Sequence, residues 1–157
     1  MLILGSLPGD ASLQAAQYYA HPRNAFWRLL GHALGEDLAT LRYDARLKRL
    51  LVRQVGLWDV IASAERSGSL DAAIRSPEAA DLRGLVATLP DLRAVAFNGG
   101  LAARMGRRTL DGVDGIALID LPSSSPAHAR PFKDKAERWS TLSDWLDAPT
   151  QKNSATR

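Results

Sequence analysis

The sequence predicts a three-layer α/β/α domain, an α/β fold built on a central, mainly parallel sheet of four strands. Three observations carry this reading. Four short apolar runs, residues 2–4, 56–61, 92–97 and 115–121, are too short for helices and do not alternate cleanly, as expected of strands covered on both faces. Longer segments with apolar residues at helical spacing lie between them. The Gly-, Pro- and Ser-rich stretches follow the strands, where open parallel sheets carry their ligand loops.

Taken in order, the first strand runs into a long loop at 5–24, which opens Gly5-Ser6-Leu7-Pro8-Gly9-Asp10. A helix at 25–34 then puts Phe26, Leu29, Leu30 and Ala33 on one face, with Asn24 placed to cap it. A second helix at 38–52 carries Leu41, Ala45, Leu47, Leu50 and Leu51 between basic residues. The strand at 56–61 leads to a loop at 61–70. Ser76 as N-cap and Pro77 in the first helical position predict a helix over 77–89. After the strand at 92–97 comes the turn Asn98-Gly99-Gly100 and a helix at 101–108. The last strand, 115–121, empties into the serine loop Pro122-Ser123-Ser124-Ser125-Pro126-Ala127-His128. A final helix at 131–146 presents Trp139, Leu142, Trp145 and Leu146 on one face. The pattern fits one domain over 1–147, with a polar tail at 148–157 expected to be disordered.

Composition sets outer bounds. The chain has 157 residues, 46% hydrophobic and 24% charged, which suits an ordinary globular domain with a real core. Its 20 basic and 17 acidic residues give a net charge of +3, which permits nucleic-acid binding without arguing for it. There is no cysteine, so disulfides, thiolate zinc sites, iron–sulfur clusters and a cysteine nucleophile are excluded. The opening Met-Leu-Ile-Leu-Gly-Ser is too short for a signal peptide and has no basic segment before it, and no stretch is long enough to span a membrane. A cytoplasmic monomer is expected. His21, His32 and His128 form no metal-ligand spacing, so neither a metal nor a cofactor is expected.

The loops hold the chemistry. The first has Gly-Pro-Gly punctuation that frees backbone N–H groups, but it is neither a P-loop nor a dinucleotide fingerprint. Tyr18 and Tyr19, beside that backbone, suit base stacking. The serine loop can grip phosphates or simply cap the last helix. Ser124, His128 and Asp120 also invite a hydrolase triad. Against it, the G-x-S-x-G elbow is absent and only four residues separate Ser124 from His128.

Read together, GSLPG and YAHPRNAFW resemble the first motif of the mismatch-specific uracil-DNA and thymine-DNA glycosylases, Gly-X-Asn-Pro-Gly followed by Phe-Ala-His-Pro-X-Asn-Arg-Phe-Trp. LPSSSPAHA stands where that family has Leu-Pro-Asn-Pro-Ser-Gly-Leu. The central VGLWDVIASAERSGSLDAAI and FNGG segments are more similar to the hypoxanthine-DNA (DNA-deoxyinosine) glycosylase branch of the uracil-DNA glycosylase superfamily. The resemblance covers residues 2–146 and implies the following roles. Leu7 occupies the slot of the water-positioning Asn and cannot do that job. In the hypoxanthine branch the Asn of His-Pro-X-Asn serves instead, which makes Asn24 the expected catalytic residue. Tyr19 falls where the family stacks an aromatic on the flipped base. Asp59 falls near a base-reading position, Asn98 adds a polar contact, and Ser123, Ser124, Ser125 and His128 hold the DNA backbone.

The resemblance implies a monofunctional DNA glycosylase acting on DNA that contains deaminated bases, uracil or hypoxanthine, for base-excision repair. The backbone N–H groups of Ser6, Leu7 and Gly9, with Pro8 between them, suit a departing anionic base. Asp10 and Asp59 are the carboxylates available as a general base, although Asp10 also reads as a solvated turn residue. No Lys lies in either motif, which disfavours a Schiff-base lyase. A non-catalytic lesion binder on the same fold, favoured by Leu7, and a small hydrolase using Ser124 remain the alternatives.

Overall fold

A computed structural model describes residues 1–146; the expected tail at 148–157 lies outside the described residues. The four apolar runs become β1 (Leu2–Gly5), β2 (Gly56–Asp59), β5 (Ala94–Asn98) and β6 (Ala117–Leu121), with β3 (Ile61–Arg66) and β4 (Ile74–Ala79) lying between β2 and β5 in the chain. They form one parallel sheet in the order β2-β1-β5-β6. β1 and β5 are buried along their whole length. The edge strand β2 instead alternates exposed and half-buried residues.

Side chains alternate across a strand, so each central strand feeds two cores. Ile3 and Ala96 pack with Phe26, Leu29 and Leu30 of α2 (Phe26–Leu34) and Trp139 of α6 (Phe132–Trp139). Leu2, Leu4, Val95 and Phe97 pack with Leu82 of α4 (Leu82–Ala87) and Ala102 of α5 (Gly100–Thr109). Helices thus cover both sheet faces, giving the three layers. Each such buried aliphatic or aromatic side chain is worth about 1.5–3 kcal/mol. Among the described residues, no helix is long and apolar enough to cross a membrane.

Several boundaries differ from the sequence reading. The helix expected at 38–52 begins only at Tyr43, as α3 (Tyr43–Val52). The helix expected at 131–146 is α6, continued by a 3-10 segment (Ser140–Trp145). A six-residue helix, α1 (Asp10–Ala15), interrupts the first loop. The largest correction concerns residues 61–89. The expected loop at 61–70 holds β3 (Ile61–Arg66), which pairs antiparallel with β4 (Ile74–Ala79). The expected helix start at Ser76 and Pro77 therefore lies inside a two-stranded ribbon. Ser76 has a left-handed backbone there, φ 49°, and Pro is tolerated in an exposed edge strand. Asp81 supplies the helix cap instead: its Oδ1 accepts the Gly84 N–H at 3.0 Å.

Candidate active site

A cleft of about 1000 Å³ opens at the carboxyl ends of the parallel strands. β1 sits where the order reverses, with β2 on one side and β5 on the other. That is where open α/β sheets bind ligands. Each strand delivers a wall: Gly5 ends β1, Asp59 ends β2, Asn98 ends β5, and the serine loop follows β6.

Twelve of the thirteen residues singled out from the sequence line this cleft: Ser6, Leu7, Pro8, Gly9, Tyr19, Asn24, Asp59, Asn98, Ser123, Ser124, Ser125 and His128. Asp10 does not. It is exposed in the first turn of α1, and its backbone N–H donates to Ser69 Oγ at 3.0 Å. Its placement gives it no access to a base in the cleft, so the solvated-turn reading is the one the geometry favours.

The floor of the cleft is tight. A Cβ on Gly5 would stand 2.8 Å from Asp59 Oδ1 and 2.9 Å from the Tyr19 hydroxyl oxygen. Glycine is what lets these two side chains converge over the strand end. Among the described residues, no group donates a hydrogen bond to the Asp59 carboxylate. Burial alone pushes its pKa from 3.8 up to about 6. Tyr19 adopts a left-handed backbone, φ 53°, a conformation that costs a bulky residue energy. Its ring stacks on Phe26 with centroids 3.7 Å apart and planes 12° apart. Burial raises its hydroxyl pKa; a hydrogen bond with Asn98 opposes this, while the Asp59 carboxylate adds to it. The phenol therefore stays protonated across the physiological range.

Asn24 sits just before α2. The N-cap of α2 is Ala25, not Asn24 as expected; from one residue earlier, Asn24 Oδ1 accepts the Phe26 N–H at 3.0 Å. The Nδ2 group has no acceptor among the described residues. That bond fixes the amide's orientation and leaves a donor, together with the second Oδ1 lone pair, for another partner.

Ser124 ties the loops together. Its N–H donates to Asn98 Oδ1 and its Oγ accepts from Asn98 Nδ2, both at 2.9 Å. Its carbonyl accepts the Ala25 N–H at 3.0 Å. The residue is only 1% exposed. Its neighbours Ser123, Ser125 and His128 are more open to the cleft. The loop is held from behind by Lys135 Nζ on the Ser125 carbonyl at 3.2 Å and Trp139 Nε1 on the Pro122 carbonyl at 3.0 Å. Burial first, and the nearby Lys135 and Arg130 cations second, lower the His128 pKa and favour its neutral form.

The hydrolase triad is not assembled. Ser124 Oγ is engaged by Asn98, and Asp120 pairs with Arg107 at 2.9 Å. The backbone N–H groups of Ser6, Leu7 and Gly9, by contrast, have no acceptor among the described residues, and all three residues line the cleft. The first loop therefore offers a set of free donors to an anion.

The family model for the uracil DNA glycosylase superfamily matches residues 1–146. The chain belongs to the uracil DNA glycosylase superfamily. The family and the relatives that follow support a monofunctional DNA glycosylase. It is 43% identical over 142 residues to a hypoxanthine DNA glycosylase of Methanosarcina acetivorans, covering 90% of this chain and 89% of that one. A hypoxanthine DNA glycosylase of Methanosarcina barkeri is 40% identical over 139 residues, covering 88% and 87%. Among solved structures, the solution NMR structure of a candidate uracil DNA glycosylase from Methanosarcina acetivorans superposes with a TM-score of 0.79 at 43% identity, covering 90% of this chain and 86% of that one.

The glycosylase cleft also contains residues the sequence reading missed. Ser69, Leu70 and Asp71, at the tip of the β3–β4 hairpin, form one wall. Asp71 Oδ1 accepts the Ser6 hydroxyl at 2.7 Å. Tyr43, at the start of α3, accepts the Tyr18 N–H on its hydroxyl at 3.0 Å. Ser69, Leu70 and Asp71 lie in the segment that resembles the hypoxanthine branch, but no single residue there was distinguishable, because tertiary folding of the hairpin and α3 brings these side chains to the cleft.

Proposed function

We propose that this glycosylase flips a deaminated base, hypoxanthine or uracil, into the cleft and hydrolyses its N-glycosidic bond. A base inside a duplex is out of reach, so the nucleotide must leave the stack. The Tyr19 ring, backed by Phe26, would return about 1–3 kcal/mol of the lost stacking. Asp59 accepts the ring N–H that both hypoxanthine and uracil present between or beside their carbonyls. Adenine and cytosine carry a lone pair at the equivalent nitrogen, which an ionised carboxylate repels.

As the bond between C1′ and the base nitrogen breaks, its electron pair moves onto the base and the sugar takes on oxocarbenium character. The free N–H groups of the first loop receive the growing negative charge. Asn24 orients a water toward C1′. The water's oxygen bonds to the sugar and its proton ends on the released base, leaving an abasic site for base-excision repair. Asn24 needs no charge for this task, since an amide can only orient the water.

The single observation that carries the reading is the convergence of Asn24, Tyr19, Asp59 and the unpaired loop amides on one cleft in a member of this superfamily. A lesion binder without catalysis is the second reading. It is favoured by Leu7, an apolar wall residue that cannot position water. Oligonucleotides carrying one uracil or one hypoxanthine, single- and double-stranded, separate the two when incubated with the protein and then treated with alkali. Strand scission at the lesion supports catalysis. Tight binding without scission on every substrate supports the binder.

A further inference from the structure

The β3–β4 hairpin is mostly exposed, yet one of its charged side chains is not. Arg66, at the end of β3, is 4% exposed. Its Nη2 donates to the Pro8 carbonyl in the first loop. Its Nη1 is buried with no hydrogen-bond partner and lies 3.9 Å from Asp71 Oδ1. Asp71 is itself turned to the Ser6 hydroxyl at 2.7 Å, and Ser69 Oγ takes the Asp10 N–H at 3.0 Å. The hairpin is thus bolted to the first loop, with its tip in the cleft wall and Arg66 outside the lining.

Burying a guanidinium costs several kcal/mol, and a neutral carbonyl with a carboxylate beyond hydrogen-bond range offsets only part of that. An unsatisfied buried group of this kind calls for a reason. The peptide geometry supplies one. In a trans peptide the N–H points opposite to the C=O. A cation bonded to the Pro8 carbonyl therefore polarises the Pro8–Gly9 unit so that the Gly9 N–H, which is free and belongs to a cleft residue, becomes a stronger donor.

We propose that Arg66 is a positioning residue for base release: from behind the first loop it holds and polarises the Pro8–Gly9 peptide that takes up the electron pair of the departing base. This rests on the glycosylase reading above. Arg66 acts through that peptide, so its effect scales with how much negative charge the base carries as the bond breaks. A base that forms a more stable anion needs less of this help.

The test is single-turnover excision by Arg66→Met and Arg66→Lys, using whichever pair the wild type cleaves: 5-fluorouracil against uracil, or xanthine against hypoxanthine. The first base of each pair leaves as the more stable anion. Arg66→Met is expected to slow the poorer leaving group by about tenfold or more, with a clearly smaller deficit on the better one and DNA Kd within about twofold. Arg66→Lys, which keeps the charge but loses the planar fork, should fall between and show the same trend. It carries the test if the Met variant does not fold. An equal deficit on both bases, or a loss of DNA affinity that matches the loss of rate, overturns the proposal. A wild type that cleaves neither pair fails the functional reading itself, an outcome visible before any variant is made.

Discussion

Asp59 is a half-buried carboxylate that no donor among the described residues bonds, so its contribution to stability depends on pH. In the unfolded chain its pKa is near 3.8; in the cleft burial raises it to about 6. The native state therefore holds the proton more tightly than the unfolded state does. Stability from this group is present at low pH and is lost as pH rises from about 4 through 6. At about 1.4 kcal/mol for each tenfold change in acidity, the cost above pH 6 is roughly 3 kcal/mol, trimmed to about 2 kcal/mol by solvent reaching into the open cleft. Asp59→Asn keeps the shape and removes the charge. At pH 7.5 it should raise Tm by about 4–8 °C, given about 2–4 °C per kcal/mol for a domain of this size. At pH 4 the two proteins should melt together. Excision should fall in the same variant, because the neutral amide no longer favours the base N–H so strongly. Thermal melts of both proteins across pH 4–8 check this. A variant that is less stable at pH 7.5, or shifted equally at both ends, refutes a carboxyl pKa raised by the cleft.

Other outcomes follow from the same geometry. Gly5→Ala drives a methyl to 2.8–2.9 Å from Asp59 and Tyr19; it should abolish excision while circular dichroism still reports a folded protein. Asn24→Ala should cut single-turnover rate by about 10²-fold or more with little change in DNA Kd. It should also cost about 1 kcal/mol of stability through the lost bond to the Phe26 N–H, read from denaturant melts. Ser124→Ala keeps its backbone bonds but leaves Asn98 Nδ2 without its hydroxyl acceptor in a buried setting, which should destabilise by about 1–3 kcal/mol. A fluorophosphonate probe should leave the wild type unlabelled, since Ser124 lacks a base.

Much of this was legible in the chain because its signals are local. Buried parallel strands announce themselves as short apolar runs, and all four were placed to within a few residues. The Tyr19–Asn24 segment was legible because a loop aromatic and an Asn amide sit at fixed offsets from a strongly amphipathic helix. The hairpin was not. Ile-Ala-Ser-Ala-Glu-Arg has small and polar residues on both faces, and its partner strand is almost wholly exposed, so no alternation marks either. Ser-Pro-Glu-Ala-Ala then imitates a helix start, and only tertiary pairing with β3 overrides it. Asp10, already readable as a solvated turn residue, sits exposed in the first turn of α1 and does not line the cleft. The double role of Ser124, knotting β5, α2 and the serine loop, depends on contacts at separations of 26 residues and more, which spacing along the chain does not encode.

The most direct measurement is the appearance of free base. A duplex carrying a single hypoxanthine or uracil is incubated with the purified protein, and the small-molecule fraction is analysed by mass spectrometry alongside Asn24→Ala. Free hypoxanthine or uracil is expected in stoichiometric amounts with the wild type, and release slowed about 10²-fold or more with the variant. Intact oligonucleotide with no free base from either substrate, despite tight binding, would contradict it.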